Sequence, residues 1–324
     1  MALLTISGSP HVHGTQTTQK IMWSVVVAML PAFLAAIYYF GIPALMVTLV
    51  SVASCMFFEW VIGKYLLHTE NTVTDGSAVV TGMLLAFNLP SNVPLWMVII
   101  GALVAMGVGK MTFGGLGKNP FNPALVGRVF MFLSFPTAVA LSEWPLPKPL
   151  FGSCAVTDAV SGPTTLNLMS HGGDLPALSD LFLGATGGAF GEVSALAVII
   201  GGIYMLYKKV ITWHIPVAFL GTAFVFAGLL WLIDPSQYAN PLYHLFAGGM
   251  MLGAVFMATD MVTSPVTHKG QLIFGAGCGL LTIVFRCFGP MPEGVSFAIL
   301  IMNAVTPLIN KFIKTDKFGY QKTR

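Results

Sequence analysis

Charge is what this chain lacks. Lys and Arg number 15 and Asp and Glu 12, so 27 of 324 residues, 8%, carry a full charge, against roughly 25% in a soluble globular domain. So few charges cannot cover the surface of a folded body of this length in water. That excludes a soluble globular enzyme, a nucleic-acid binder and a disordered tail. The net charge of +3 is small and dispersed, so no nucleic-acid partner is expected. The four cysteines, Cys55, Cys154, Cys278 and Cys287, form no CxxC and no metal-ligand spacing with histidine. Three of them sit in apolar runs and read as small hydrophobes, and Cys154 stands alone in a loop. With no thiolate set for an iron–sulfur cluster and no dinucleotide fingerprint, the chain cannot itself oxidise an iron–sulfur protein or bind NAD(H) in a standard way. The seven histidines do not cluster, there is no HExxH, and the GK pair at Gly117-Lys118 is followed by Asn119, so it is no phosphate loop. His11 and His13 read as a solvated pair. The N-terminal stretch has no charged region followed by an apolar region and a small-residue cleavage site, and no cleaved signal peptide is expected.

What is abundant is apolar surface. Hydrophobic residues make up 56%, with 35 Gly and 24 Phe, and mean hydropathy is +0.82. The expectation is an all-α polytopic membrane protein. About ten apolar segments are punctuated by Pro, Gly or charge. They run approximately over 21–40, 43–62, 75–89, 94–110 and 121–136, then 190–207, 213–232, 242–259, 271–288 and 295–312. A bilayer core needs about 20 apolar residues per helix, so 75–89 and 121–136 are short and read as tilted or broken. The chain therefore divides into an N-terminal arm (1–20), a first five-helix unit (21–136), a polar loop (137–189), a second five-helix unit (190–312) and a basic tail (313–324). With the N-terminus inside, Lys20, Lys64, Lys110, Lys118, Lys208, Lys209, Lys269, Lys311, Lys314, Lys317, Lys322 and Arg324 fall at inner ends, and Lys148 alone falls outside. This bias predicts two cytoplasmic termini and an outward-facing central loop. Arg128 and Arg286 fall within or at the edges of spans.

Five spans per half reverse the polarity of the second half, so any internal repeat is inverted. TGMLLAFNLP (81–90) and GAVFMATDMV (253–262) match in position and character. Each precedes an apolar span that ends at a basic residue, Lys110 or Arg286, and then a Gly/Pro-rich break. Transporters with interrupted segments at matching positions build their sites at the repeat interface near the bilayer midplane.

The central loop contains TDAVSGPTTLNL, residues 157–168. By composition it is a polar turn. Its letters resemble the motif at which certain bacterial flavoproteins carry FMN linked through phosphate to a threonine. On that resemblance the acceptor is Thr164, with Asp158, Ser161, Gly162 and Thr165 as motif neighbours and Thr165 as the fallback acceptor. Pro163, in place of the usual alanine, stiffens the turn. The motif implies an exposed hydroxyl on a flexible glycine turn, open to a modifying enzyme.

The likeness extends over nearly the entire chain. PHVHGTQTTQKIMWSVVVAMLPA, DGSAVVTGMLLAFNLP, GKMTFGGLGKNPFNPALVGRVFMF, GGAFGEVSALA and FMATDMVTSPVTHKGQLIFG, in this order with the SGPT loop between the third and fourth, resemble the D component of the Rnf-type ion-translocating electron-transport complex. The sister family, the B component of the sodium-pumping NADH:quinone oxidoreductase, usually has a longer N-terminal extension, whereas this chain reaches its first span by about residue 21. The resemblance implies a ten-helix inverted-repeat fold akin to urea transporters and a covalent FMN on the outer side. It often implies a second, noncovalent riboflavin or FMN as well. It further implies membership of a bacterial inner-membrane complex that passes electrons between ferredoxin and NAD while moving Na⁺ or H⁺. The implied partners are a second covalent-FMN subunit and the iron–sulfur and NAD-binding subunits. The alternatives are the sister quinone-reductase role and a urea-transporter-like permease in which the SGPT loop is only a loop.

Two further groups of residues are expected to matter. The glycine-rich break FGGLGKNPFNPALVGR (113–128), with Lys118, Asn119, Asn122 and Arg128, and its partner RCFGPMPEGV (286–295) either wall a flavin or ion route or form tight turns between spans. Glu59, Glu192 and Asp260 are acids in or beside spans. Such charges are costly in lipid and usually functional, so they are candidates for an ion path. The plainer alternative is that they pair with lysine or cap a helix. No resident metal site is expected. Asp75, before Gly76-Ser77, reads as a helix N-cap.

Overall fold

The computed structural model describes residues 17–68, 72–136, 143–147, 161–171, 173, 175–191, 194–235, 237–289 and 293–314. Asp158 and Glu192 lie outside the described residues, as do Cys154, His11 and His13. The first half contains α1 (Thr18–Phe40), α2 (Ile42–Val61, continued by a π-helical stretch Ile62–Leu67), α3 (Ser77–Phe87), α4 (Leu95–Gly107) and α5 (Pro123–Ser134). Between the halves come β1 (Glu143–Pro145), β2 (Ser161–Pro163), α6 (Thr165–His171) and α7 (Leu178–Leu183). The second half contains α8 (Ala195–Tyr207), α9 (His214–Ile233), α10 (Pro241–Phe246), α11 (Met250–Leu252, continued by a π-helical stretch Gly253–Met257), α12 (His268–Phe288) and α13 (Val295–Phe312).

Among the described residues, six segments are long and apolar enough to cross a membrane: Thr18–Phe40, Ile42–Leu67, Leu95–Phe113, His214–Ile233, His268–Phe288 and Val295–Phe312. Helices α3, α5 and α8 are apolar but shorter. The eighth expected segment is cut in two between α10 and α11, where Gly248 takes a left-handed φ of +63°. The all-α expectation meets one small exception: β1 and β2 pair antiparallel, with Trp144 opposite Gly162 and Pro145 opposite Ser161.

The helix boundaries follow from local chemistry. Asn122 and Asn240 each precede a proline at the first turn and accept backbone N–H bonds through their side chains, starting α5 and α10. Ser194 and Thr267 likewise accept a backbone N–H through their side chains and cap α8 and α12. Asp75 does not cap α3. The capping position is Gly76, at φ +81° with no side-chain bond, and Asp75 belongs to the preceding 3-10 turn. The left-handed glycine moves the helix start one residue past the aspartate.

Packing repeats between the halves. Helix α2 packs on α3 and α4, and α4 on α5; α9 packs on α10 and α12, and α12 on α13. Across the halves, α1 lies against α8 and α5 against α13. In lipid there is little hydrophobic drive between helices, so close backbone approach matters most. A Cβ on Gly201 of α8 would sit 2.1 Å from the Ala28 carbonyl oxygen of α1, and one on Gly279 of α12 would sit 2.4 Å from the Phe219 carbonyl oxygen of α9. The outward faces carry Leu34, Ile42, Phe57, Leu232 and Ile233 exposed, whereas Leu85, Phe87, Leu125, Met131 and Phe274 are fully buried.

Gly279→Leu is therefore expected to lower the thermal unfolding midpoint of the detergent-solubilised protein sharply by forcing α12 off α9. Gly221→Ala is the control. A Cβ there meets nothing within 4 Å, and alanine favours helix by up to about 1 kcal/mol, so its midpoint should hold or rise.

Candidate functional site

Polar residues gather at two opposite ends of the bundle, and the sequence motifs divide between them. At one end, β2 carries the Ser161-Gly162-Pro163 run straight into α6. Gly162 is buried because Leu146 packs over it, 3.4 Å from where a Cβ would stand. Thr164 follows at the junction, and its Oγ1 accepts the Asn167 N–H at 3.2 Å. Thr164 and Thr165 are both buried, at 8% and 5% exposure. The exposed hydroxyl expected on a flexible turn is instead a buried hydroxyl at a strand–helix junction, held by pairing with β1 and by packing of Leu146. It lines a cavity of about 370 Å³, including its open mouth, together with Thr165, Thr186, Gly187, Gly188 and Glu293.

Leu166 and Glu293 continue from that cavity into a smaller one, which also touches Asn88, Arg128 and Arg286. Arg128, at 4% exposure, forms an ion pair with Glu293 and donates to the Asn88 carbonyl at the end of α3. Arg286, 7% exposed, donates to the carbonyls of His244 at 2.5 Å and Ala247 at 2.9 Å, at the end of α10. It also faces a third, larger pocket of about 720 Å³ including its open mouth. The two glycine-rich breaks thus meet through Arg128 and Glu293, although residues 113–122 belong to the other end of the bundle.

That other end holds a cavity of about 720 Å³, including its open mouth, lined by Ser77, Thr81, Lys110, Asn119, Asn122 and Asp260, among others. Lys110, expected as a basic anchor at a span end, is 1% exposed. Its Nζ donates to Glu59 Oε1 at 2.6 Å and Ser77 Oγ at 2.8 Å. Thr72 Oγ1 adds a donor to the same carboxylate at 2.9 Å, and the second oxygen, Oε2, has no partner. Glu59 thus takes the plainer of its two roles, pairing with a lysine, but does so buried. Asn122 joins the halves: its Oδ1 caps α5, and its Nδ2 donates to the Met257 carbonyl at 3.2 Å. Asn119 Oδ1 is buried without a partner. Asp260, just past the π-helical stretch, accepts from the Val262 N–H at 3.4 Å and the Thr263 hydroxyl at 3.1 Å. Burial pushes its carboxyl above the ordinary carboxylate range, and those two bonds oppose the shift. Lys118 stays exposed against Gly114, which has φ +99°. Among the described residues no group of three or more His, Cys, Asp or Glu could hold a metal ion.

The sequence singles out Thr164, Glu59, Lys110, Arg128 and Asp260 as polar positions in loops or beside spans, but not the partners that the fold brings to Glu59, Lys110 and Arg128. Glu293 was passed over although it is the one acid in its Gly/Pro break, which was the available signal. The unpartnered amide of Asn303, 1% exposed in α13, gave no signal among its apolar neighbours.

The Lys110–Glu59 pair makes a direct prediction. Removing one partner of a buried pair typically costs about 3–5 kcal/mol, whereas replacing both with apolar groups is near neutral. Glu59→Leu should therefore destabilise the purified protein strongly, and adding Lys110→Met should restore most of its unfolding midpoint. A double variant no better than the single one would show that the pair does not act as a unit.

The chain is 45% identical to the D component of the Na(+)-translocating ferredoxin:NAD(+) oxidoreductase complex of Acetobacterium woodii, over 99% of this chain and 97% of that one. It is 41% identical to the D component of the proton-translocating ferredoxin:NAD(+) oxidoreductase complex of Clostridium ljungdahlii, with coverage of 99% and 97%. It is 38% identical to the D component of the ion-translocating oxidoreductase complex of Stutzerimonas stutzeri, with coverage of 94% and 92%. With a family match that runs over residues 5–319, the chain belongs to the NQR2, RnfD, RnfE family.

Proposed function

We propose that this chain is the flavin-carrying D component of an Rnf-type ferredoxin:NAD oxidoreductase in the membrane, with FMN joined through phosphate to Thr164. Its family and its full-length relatives, named as components of ion-translocating oxidoreductase complexes, support a role as a non-autonomous redox subunit. The observation that carries the cofactor assignment is the setting of Thr164: a hydroxyl fixed at a strand–helix junction by the Asn167 N–H, facing a cavity whose wall also holds Thr165 and Thr186. The residues there fit a tethered phosphoester. Gly187 and Gly188 line the cavity without side chains, and the one carboxylate in its wall, Glu293, is paired with Arg128. Bound there, the flavin would supply electron transfer, and the protein would supply its position and electrostatics.

The cavity at the Lys110 end is the proposed seat of a second, noncovalent riboflavin or FMN. Its wall offers mixed hydrogen-bonding chemistry, with donors at Lys110 and Asn122 and the unpartnered acceptor Asn119 Oδ1. Asp260 and Glu59 at this end, with Asn303 in α13, are the proposed polar stations of an ion route. One relative is named for Na⁺ and another for protons, so the coupling ion varies among proteins of this kind. The two halves are read as inverted five-element repeats. Matched packing supports this, as do two glycine contacts: Gly101 of α4 meets Met131 of α5, and Gly277 of α12 meets Met302 of α13. In this reading both termini are cytoplasmic and Thr164 faces outward, in the inner membrane of a bacterium. The remaining partners are a second covalent-FMN subunit and the iron–sulfur and NAD-binding subunits.

The test is covalent chemistry. The chain made in a host with the flavin transferase should fluoresce under ultraviolet light in a denaturing gel, and its intact mass should exceed the sequence mass by one FMN less water. Thr164→Val should lose both signals, while Thr165→Val keeps them. A dark wild-type band with an unmodified mass would favour a permease of the same fold.

A further inference from the structure

The polar pocket behind α6 is larger than the cavity at Thr164 and is used by nothing described so far. Its near wall is α6 itself. Leu166 and Met169 stand three residues apart on one helical face, and both line the pocket. Its far wall is the end of α12 with Arg286, the turn before α10 with Gln237 and Tyr238, and His244 of α10. Leu166 also lines the Thr164 cavity and the small one between them, so the three spaces adjoin around one side chain two residues after the threonine.

Two observations mark this pocket as built for a polar heterocycle. Arg286 is fixed, with Nη1 and Nη2 donating to the His244 and Ala247 carbonyls. Those carbonyls are orphaned because the chain breaks at Gly248. Gly248 keeps the wall thin: a Cβ there would lie 2.6 Å from Leu166 Cδ1 and 3.3 Å from Arg286 Nη2. His244, 6% exposed, lines the same pocket with its Nδ1 unpartnered. A fixed guanidinium and a buried ring nitrogen without a partner make a recognition surface for a planar ring with its own donors and acceptors.

We propose that this pocket receives the isoalloxazine ring of the flavin carried by Thr164, and that Arg286 sets its reduction potential. The proposal rests on the attachment reading above. Reduction gathers negative charge at the pyrimidine edge of the ring, and a guanidinium, which stays protonated at every working pH, favours that form. His244 offers its unpartnered nitrogen to the same edge.

Spectroelectrochemical titration of the full-length chain carrying its covalent flavin tests this. Arg286→Gln should reduce the ratio of reduced to oxidised flavin at a given poise about tenfold, a fall of roughly 30 mV for a two-electron couple. Arg286→Lys should recover most of that loss. Met169→Trp keeps the charge but fills the pocket, and should make the flavin several-fold more accessible to iodide quenching. All three variants should retain the fluorescent band in a denaturing gel. A bright band with an unmoved potential in Arg286→Gln overturns the proposal and leaves the attachment intact. If that variant does not accumulate, wild-type potential and quenching in Met169→Trp overturn it equally. A dark, unmodified wild-type chain removes the attachment reading and this proposal with it.

Discussion

A helix that stops inside a membrane bundle leaves carbonyls with no water to bond, and each must find a donor within the protein. Two short elements of this chain stop in that way, α3 and α10, and an arginine from elsewhere in the fold reaches each end. Arg128 of α5 takes the Asn88 carbonyl, and Arg286 of α12 takes those of His244 and Ala247. Arginine suits the task because its planar fork serves two acceptors at once and is less strongly hydrated than an ammonium. Both arginines line the small cavity between the two breaks, so the clasps tie the ends of α3 and α10 to one polar space.

The clasps also account for where polarity is allowed. Charges buried in this bundle carry named partners: Arg128 has Glu293, and Lys110 has Glu59 with Ser77. A buried pair gains little stability over an apolar one, so stability alone does not explain its retention. Both pairs sit beside cavities, and in that position they keep a polar wall at a fixed geometry. Asn122 extends the same logic across the halves by capping α5 and bonding the Met257 carbonyl with one side chain.

Much of this was legible in the residues. The apolar runs gave the helices, and the Gly/Pro punctuation gave most of their ends, because proline and left-handed glycine act locally. The Ser161–Thr165 motif singles out its threonines through its letters, and the fold sets Thr164 against a cavity. What local reading could not supply was pairing at long range. Arg128 and Glu293 are far apart in sequence, and so are Lys110 and Glu59, and only the folded packing of α2 on α4 brings the latter together. The same limit explains the burial of Thr164. Nothing near Gly162 announces that Leu146, just past the paired strand β1, covers it. Asp75 failed for a smaller reason: the glycine beside it took the left-handed turn and the capping position with it.

On the proposed reading a redox carrier and an ion route share one bundle, and the two ends come close along α3. Leu84 lines the cavity at the Lys110 end and Asn88 the small cavity near Thr164. They stand one helical turn apart, about 6 Å of rise, and Asn88 Nδ2 donates to the Leu84 carbonyl at 2.6 Å across that turn. Between them Leu85, Ala86 and Phe87 are fully buried. On that reading this packed layer lies between the second flavin's cavity and the small space that adjoins the isoalloxazine pocket, and an electron can tunnel through it. For a cation, which must keep oxygen ligands around it, the same layer offers only apolar side chains and carbonyls already bonded. On the proposed reading, then, electrons cross where ions cannot. Ion passage must either follow a separate line of oxygens or wait until a clasp at the end of α3 or α10 lets go.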